Sequence, residues 1–146
     1  MKKMKWKKSL TLTASAALAL SLLVGCGAQP AEQSSTESKA VGTVLLSVNP
    51  EIEVEYDKSG LVLEIEGLNK DGKTVVKDVK NYQGKDCRTV VSELVRDIYA
   101  DGYFEGTVDG HVKNIVLKLE EGSVYVSDEF LQDVADGVRE TVQECG

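Results

Sequence analysis

Two hydrophobic periods alternate along the chain from Val41 onward, and each change of period marks an element. Val44, Leu46 and Val48 alternate with Thr43, Leu45 and Ser47, which predicts a first strand. Asn49-Pro50 interrupts the run. Beyond it Ile52, Val54 and Tyr56 face one way and Glu51, Glu53 and Glu55 the other, the pattern of a strand with one buried and one solvated face. Asp57-Lys58-Ser59-Gly60 has turn chemistry, and Leu61, Leu63 and Ile65 are expected to continue inward on a third strand. A hairpin loop over residues 57–60 sets Tyr56 against Leu61, Glu53 against Glu64 and Glu51 against Glu66. Asn69-Lys70-Asp71-Gly72 then breaks the sheet, and Thr74 to Lys80 is too short to assign firmly to an element.

After Asp86 the spacing changes to three and four residues. Cys87, Val90, Val91, Leu94, Val95, Ile98 and Tyr99 form a helical stripe, with Asp86 as its cap and Gly102 at its left-handed close. Ile115, Leu117 and Leu119 predict a fourth strand. Ser127 is the expected cap of a last helix, with Asp128 and Glu129 in its positive first turn. Its buried side is read as Phe130, Leu131, Val134, Val138 and Val142. The order βββ(α)αβα predicts an α+β fold: a small two-layer domain with a mixed or antiparallel sheet of about four strands and helices on one face.

The chemistry ahead of this domain is different. A basic head (Lys2, Lys3, Lys5, Lys7, Lys8) precedes an apolar run from Leu10 to Val24, ending in Leu23-Val24-Gly25-Cys26. Charge, apolar segment and small-residue cleavage site, in that order, make an export signal. A cysteine directly after the glycine makes it a bacterial lipoprotein signal, in which residues 1–25 are removed and Cys26 is lipidated. The rival reading is a plain transmembrane anchor. Thr11, Thr13, Ser15 and Ser21 break the run, which falls short of the ~20 strongly apolar residues a span needs. Residues 26–40 carry no large apolar side chain after Cys26 and are expected to be a flexible lipid-anchored tether to a domain at 41–146. The expected location is the cell membrane, lipid-anchored on its extracytoplasmic face.

Charge sharpens that picture. The chain has 17 basic and 24 acidic residues, and loss of the five leader lysines leaves 12 against 24, a formal charge of −12 in place of −7. So acidic a surface opposes nucleic acid and anionic head groups. Attachment then falls to acyl chains on Cys26, each buried methylene contributing ~0.8 kcal/mol. Cys87 and Cys145 are the thiols of the domain, and outside the cytoplasm they can form a disulfide. A buried Cys87 with a free, near-terminal Cys145 satisfies the pattern equally.

No set of residues for catalysis on another molecule is legible, and no cofactor is expected. His111, the one histidine, stands beside Gly110 without a second His or paired Cys and reads as a surface residue rather than a metal ligand. Asn69-Lys70-Asp71-Gly72 resembles the opening of a calcium loop, but Lys80 occupies the place of its closing glutamate, which rejects an EF-hand. The expected metal content is none. Glu51, Glu53, Glu55, Glu64 and Glu66 place like charges on one sheet face, which opposes strand pairing unless lysines, a cation or a basic partner cover them. The plainer role of such a face is to discourage edge aggregation.

Asn49-Pro50 carries the one candidate reaction. Proline has no N–H, so ordinary deamidation by the following backbone nitrogen is closed. The Asn49 side-chain nitrogen can instead attack its own backbone carbonyl, form a succinimide and expel Pro50. A turn that holds the attacking atom near that carbonyl assists by orientation, and strain relieved on scission adds to it. Read without any such context, Asn-Pro is a turn dipeptide.

The stretch Val44-Leu45-Leu46-Ser47-Val48-Asn49-Pro50-Glu51-Ile52-Glu53-Val54 resembles the extracytoplasmic middle domain of RsgI-type anti-sigma factors, whose signature runs roughly V-x-L-D-I-N-P-S-I-E-L. The resemblance continues through Lys58-Ser59-Gly60-Leu61-Val62-Leu63 and Leu68-Asn69-Lys70-Asp71-Gly72-Lys73, and more weakly over Asp86 to Gly102. It implies a SEA-like sheet-and-helix module that cuts itself between Asn and Pro, its pieces staying paired until a signal separates them. Carried over, Asn49 is the reacting side chain and Pro50 the new amino terminus. Ser47 stands where the family usually has Asp, and Glu51 where it usually has Ser. Such family members hold a sigma factor through a cytoplasmic segment and span the membrane, whereas here a lipid tether is expected in place of that inner half.

Three functions follow as expectations. The first is a membrane-anchored, non-catalytic sensory or binding domain that meets an extracellular ligand or a membrane protein. The second is a single-turnover module cut between Asn49 and Pro50 that releases residues 50–146. The third is an accessory protein that binds a basic partner through the Glu51, Glu53, Glu55, Glu64 and Glu66 face.

Overall fold

The computed structural model of the protein describes residues 38–108 and 111–146, so the leader, Cys26 and most of the expected tether lie outside the described residues. Strands β1 (Gly42–Ser47), β2 (Glu51–Tyr56) and β3 (Val62–Gly67) are followed by helices α1 (Lys70–Val76) and α2 (Cys87–Ala100). A short antiparallel pair, β4 (Thr107–Val108) and β5 (His111–Val112), then precedes β6 (Val116–Leu119) and the final helix α3 (Phe130–Cys145). The four longer strands form one antiparallel sheet in the order β3-β2-β1-β6. The fold is α+β, as the patterning predicts; the β4–β5 pair is an addition too short to carry a periodic signal.

One face of the sheet is dry. Val44 and Leu46 of β1, Ile52, Val54 and Tyr56 of β2, and Val62 of β3 are fully buried. They belong to one core with Val90, Val91, Leu94, Val95 and Ile98 of α2 and Phe130, Val134 and Val138 of α3. Strand alternation sets this up: the residues between them point to the opposite, polar face. Tyr56 is the largest buried side chain; its ring lies 4.6 Å from that of Phe130 and its hydroxyl donates to the Val124 carbonyl at 2.9 Å. Gly42 faces Tyr56 because a Cβ there would collide with the phenol.

Strand β3 departs from the expected pattern. Val62 and Ile65 are buried, while Leu61 is 36% exposed and Leu63 half-buried. The hairpin loop includes Leu61, which bridges to Asp86 instead of joining β2, and the register then shifts so that Glu55 faces Glu64 while Tyr56 faces Val62. Leu63 is the extra residue of a β-bulge, and one extra residue reverses which face the side chains before it take. The carboxylate pairs are therefore Glu53 with Glu66 and Glu55 with Glu64, and Glu51 faces Ser47 of β1. Asp57 holds the loop: its Oδ1 accepts from the N–H groups of Ser59 at 2.8 Å and Leu61 at 3.1 Å.

Both long helices form where the stripes place them. Asp86 caps α2, its carboxylate accepting from the Thr89 N–H and hydroxyl at 2.9 and 2.6 Å. Gly102 takes φ +77°, the left-handed close that glycine favours. Helix α3 begins later than expected. Ser127 closes a preceding turn through its carbonyl, Glu129 occupies the cap position without a side-chain bond, and Val142 is 36% exposed. Arg88–Glu140 at 2.6 Å and Arg96–Glu144 at 2.9 Å show α2 and α3 running side by side in the same direction. Cys87 opens α2 and Cys145 ends α3, at opposite ends of that side-by-side pair. Both thiols are free, which settles the disulfide question for this structure.

Candidate functional site

The β1–β2 connection is a three-residue turn, Val48-Asn49-Pro50, closed by the Ser47–Glu51 pair and by a Val48 N–H donated to the Pro50 carbonyl at 2.9 Å. Asn49 is exposed and Pro50 buried. Asn49 has φ +68°, in the left-handed region. That is an unusual place for a residue before proline, whose ring already confines its predecessor to extended backbone. Asparagine tolerates left-handed φ better than other residues with a Cβ, yet the position still carries strain.

Asn69, twenty residues further on, holds this turn. Its Oδ1 accepts from the Gly72 N–H at 2.7 Å, which caps α1, and from the Glu51 N–H at 3.2 Å. Its Nδ2 donates to Asn49 Oδ1 at 3.2 Å. A second tie, from the Leu68 N–H to the Glu51 carbonyl at 2.9 Å, fixes the same junction. Gly72 permits the approach, since a Cβ there would strike the Glu51 carbonyl oxygen. The four residues read as a sheet breaker thus also begin a helix and buttress the Asn-Pro turn. The Asx cap preceding a short helix was the available signal; the contact with Asn49 left none, because it links two distant loops. Glu51 contributes through its backbone amide and carbonyl, a role open to any residue but proline.

The opposite face of the sheet gathers the predicted carboxylates. Glu53 and Glu55 of β2 stand beside Glu66 and Glu64 of β3, and Glu120, beyond β6, joins them through its N–H bond to the Thr43 carbonyl at 3.0 Å. Burial, followed by repulsion from Glu120, Glu66 and Glu55, holds the Glu53 carboxyl above its usual range. Lys118 is the strand-borne cation on this face, opposite Leu45 and 3.4 Å from Glu120. Glu51 lies at the end of the same face, against Ser47. Among the described residues no His, Cys, Asp and Glu group is arranged to hold a metal ion. His111 lies in β5.

Elsewhere, the Cys87 thiol is pushed up to about 12 by burial and by the neighbouring Asp86, so it stays protonated at neutral pH. A groove of about 710 Å³ runs between α3 and the β6 side of the domain, lined among others by Tyr99, Phe104, Ile115, Val138 and Val142. No helix of the described residues is long and apolar enough to cross a membrane.

Fold and turn together define a small α+β module built around a tight Asn-Pro hairpin whose first strand lies inside the sheet. The chain belongs to the anti-sigma factor RsgI-like central domain family, whose model matches residues 41–145. It is similar to the anti-sigma-I factor RsgI of Bacillus subtilis (strain 168), 25% identical over 88 residues, or 60% of this chain and 23% of that protein. It is also similar to the anti-sigma-I factor RsgI of Bacillus anthracis, 28% identical over 67 residues, 46% of this chain and 15% of that protein. The match thus spans less than a quarter of either relative.

Proposed function

We propose that the protein is a membrane-anchored, extracytoplasmic sensory or binding domain, tethered by lipid on Cys26 and acting through contact. The observation that carries this reading is one chain holding both a lipoprotein-type leader, Leu23-Val24-Gly25-Cys26, and an RsgI-like central domain over 41–145. The tether enters the sheet at β1, paired on one side with β2 and on the other with β6. Tension between membrane and domain therefore loads an inner strand rather than an edge. The open acidic face is the surface we assign to a basic partner, an extracellular ligand or a membrane protein. Charge reversal at Glu53 and Glu66 abolishes capture of that partner from a membrane extract if the assignment holds; unchanged capture removes it. The broader reading fails if the chain, incubated with cell-wall fragments, polysaccharides and membrane proteins, binds none of them.

A second reading, single-turnover scission between Asn49 and Pro50, is favoured by the left-handed backbone of Asn49 and by the Asn69 bond to its side chain. Scission would leave β1 on the membrane piece and residues 50–146 held to it by strand pairing and core packing. Denaturing mass analysis of the chain beside Asn49→Ala tests it: two fragments divided at Pro50 are expected, absent in the variant. A single intact mass after prolonged incubation removes this reading.

A further inference from the structure

The hydrogen bonds of Asn69 decide which end of the Asn49 side chain is left to react. The backbone N–H groups of Gly72 and Glu51 both end on one atom of the Asn69 amide, at 2.7 and 3.2 Å. A backbone N–H only donates, so that atom is oxygen. The other arm of Asn69 is then Nδ2, a donor, and the Asn49 atom that it reaches at 3.2 Å is an acceptor, Oδ1. By elimination Nδ2 is the arm of the Asn49 amide turned away from Asn69. That arm alone can close a succinimide on the Asn49 carbonyl.

We propose that Asn69 is the positioning residue for scission of the Asn49–Pro50 bond, gripping Asn49 Oδ1 so that Nδ2 is presented to the peptide carbonyl. The proposal rests on the self-cleavage reading above. In the step, Nδ2 bonds to the carbonyl carbon of Asn49, and the bond from that carbon to the Pro50 nitrogen breaks. Its electron pair leaves on the Pro50 nitrogen, which takes up the proton that Nδ2 loses. The products are a succinimide ending one piece and a secondary amine opening the other, with no water or co-reactant consumed. The Asn69 bond also acts electronically. The Nδ2 lone pair of an amide is delocalised toward its oxygen, and a donor on Oδ1 stabilises the form in which Nδ2 has shed its proton. Asn69 is held rigidly for this by its cap on α1 and its tie to the start of β2.

Asn69→Asp tests the assignment, because it keeps the oxygen that accepts from Gly72 and Glu51 and replaces only the donor. The full chain is pulse-labelled in a lipoprotein-processing bacterium, purified, and followed by denaturing mass analysis beside Asn49→Ala. Wild type is expected to divide at Pro50, and Asn69→Asp to divide about ten-fold more slowly or less, the worth of one positioning hydrogen bond, with its melting temperature little changed. Accepting two backbone N–H bonds favours the ionised carboxylate, so acidifying below the ordinary aspartate pKa of about 3.9 is needed to restore a donor; this is expected to speed the variant relative to wild type, a response that a purely structural role would not give. Asn69→Ser, which still caps α1 but is too short to reach Asn49, should also be slow. Equal rates for wild type and both variants overturn the positioning role while leaving self-cleavage standing. An uncut wild type overturns both.

Discussion

Glu53 sits where burial and three neighbouring carboxylates act against one charge. Its pKa is raised in the folded state, so between the ordinary and the raised value the folded protein binds more protons than the unfolded one. Stability from this group therefore rises as pH falls through that window, and above it the ionised side chain destabilises the sheet. Glu53→Gln is expected to raise the melting temperature at neutral pH by the equivalent of about 0.2–1 kcal/mol, the range for facing like charges. The gain should shrink in acid and in high salt, which thermal melts across pH and ionic strength will show. Tyr56→Phe tests the opposite, dry face. It removes the bond to the carbonyl of Val124, an exposed residue that water can reach, and a loss of about 0.5–1.5 kcal/mol is expected in denaturant melts. In the native protein a thiol reagent should modify Cys145 and spare Cys87 until unfolding. At this scale the sequence was largely readable: alternation identified Val44, Leu46, Ile52, Val54 and Tyr56 as core because one sheet face is wet. Asn69 was not readable as a partner of Asn49, since nothing local to either records a hydrogen bond across twenty residues.

Among the elements, α2 and α3 depend on a close crossing at Gly137, where a Cβ would lie 2.7 Å from Arg88 and 2.8 Å from the Ser92 hydroxyl. Gly137→Val should push the helices apart, cost about 1–3 kcal/mol by overpacking, and loosen the Arg88–Glu140 pair. A lower denaturation midpoint with an unchanged urea slope would be the expected record. The cap of α2 gives a matching acid response. Burial pushes Asp86 up, but the Thr89 hydroxyl and N–H outweigh it and hold the carboxyl below its usual range. Its contribution is present above the ordinary aspartate range and is lost as pH falls through the folded value. Helix α2 was fully legible because its cap, stripe and closing glycine agree. Strand β3 was half legible: composition announced a strand, but a five-residue loop and the bulge at Leu63 moved its register by two. Periodicity cannot report an inserted residue, because it assumes that none is there.

For the whole molecule, the position of β1 governs what scission would do. An inner strand with Val44 and Leu46 fully buried is held along both edges, so a cut chain should stay associated at neutral pH without denaturant. Native sizing of cut material should show one species, and denaturant should release residues 50–146. With total stability of such a domain at ~5–15 kcal/mol, losing an inner strand is enough to unfold the released piece. Lipid anchoring outside the cell is the proposal on which the other expectations hang, and the mass and amino-terminal state of chain recovered from a lipoprotein-processing bacterium test it. Material in the membrane fraction beginning at an acylated Cys26, and shifted to the soluble secreted fraction by Cys26→Ala, is the expected result. Chain recovered from the cytosol with residues 1–25 still attached and an unmodified Cys26 would contradict it.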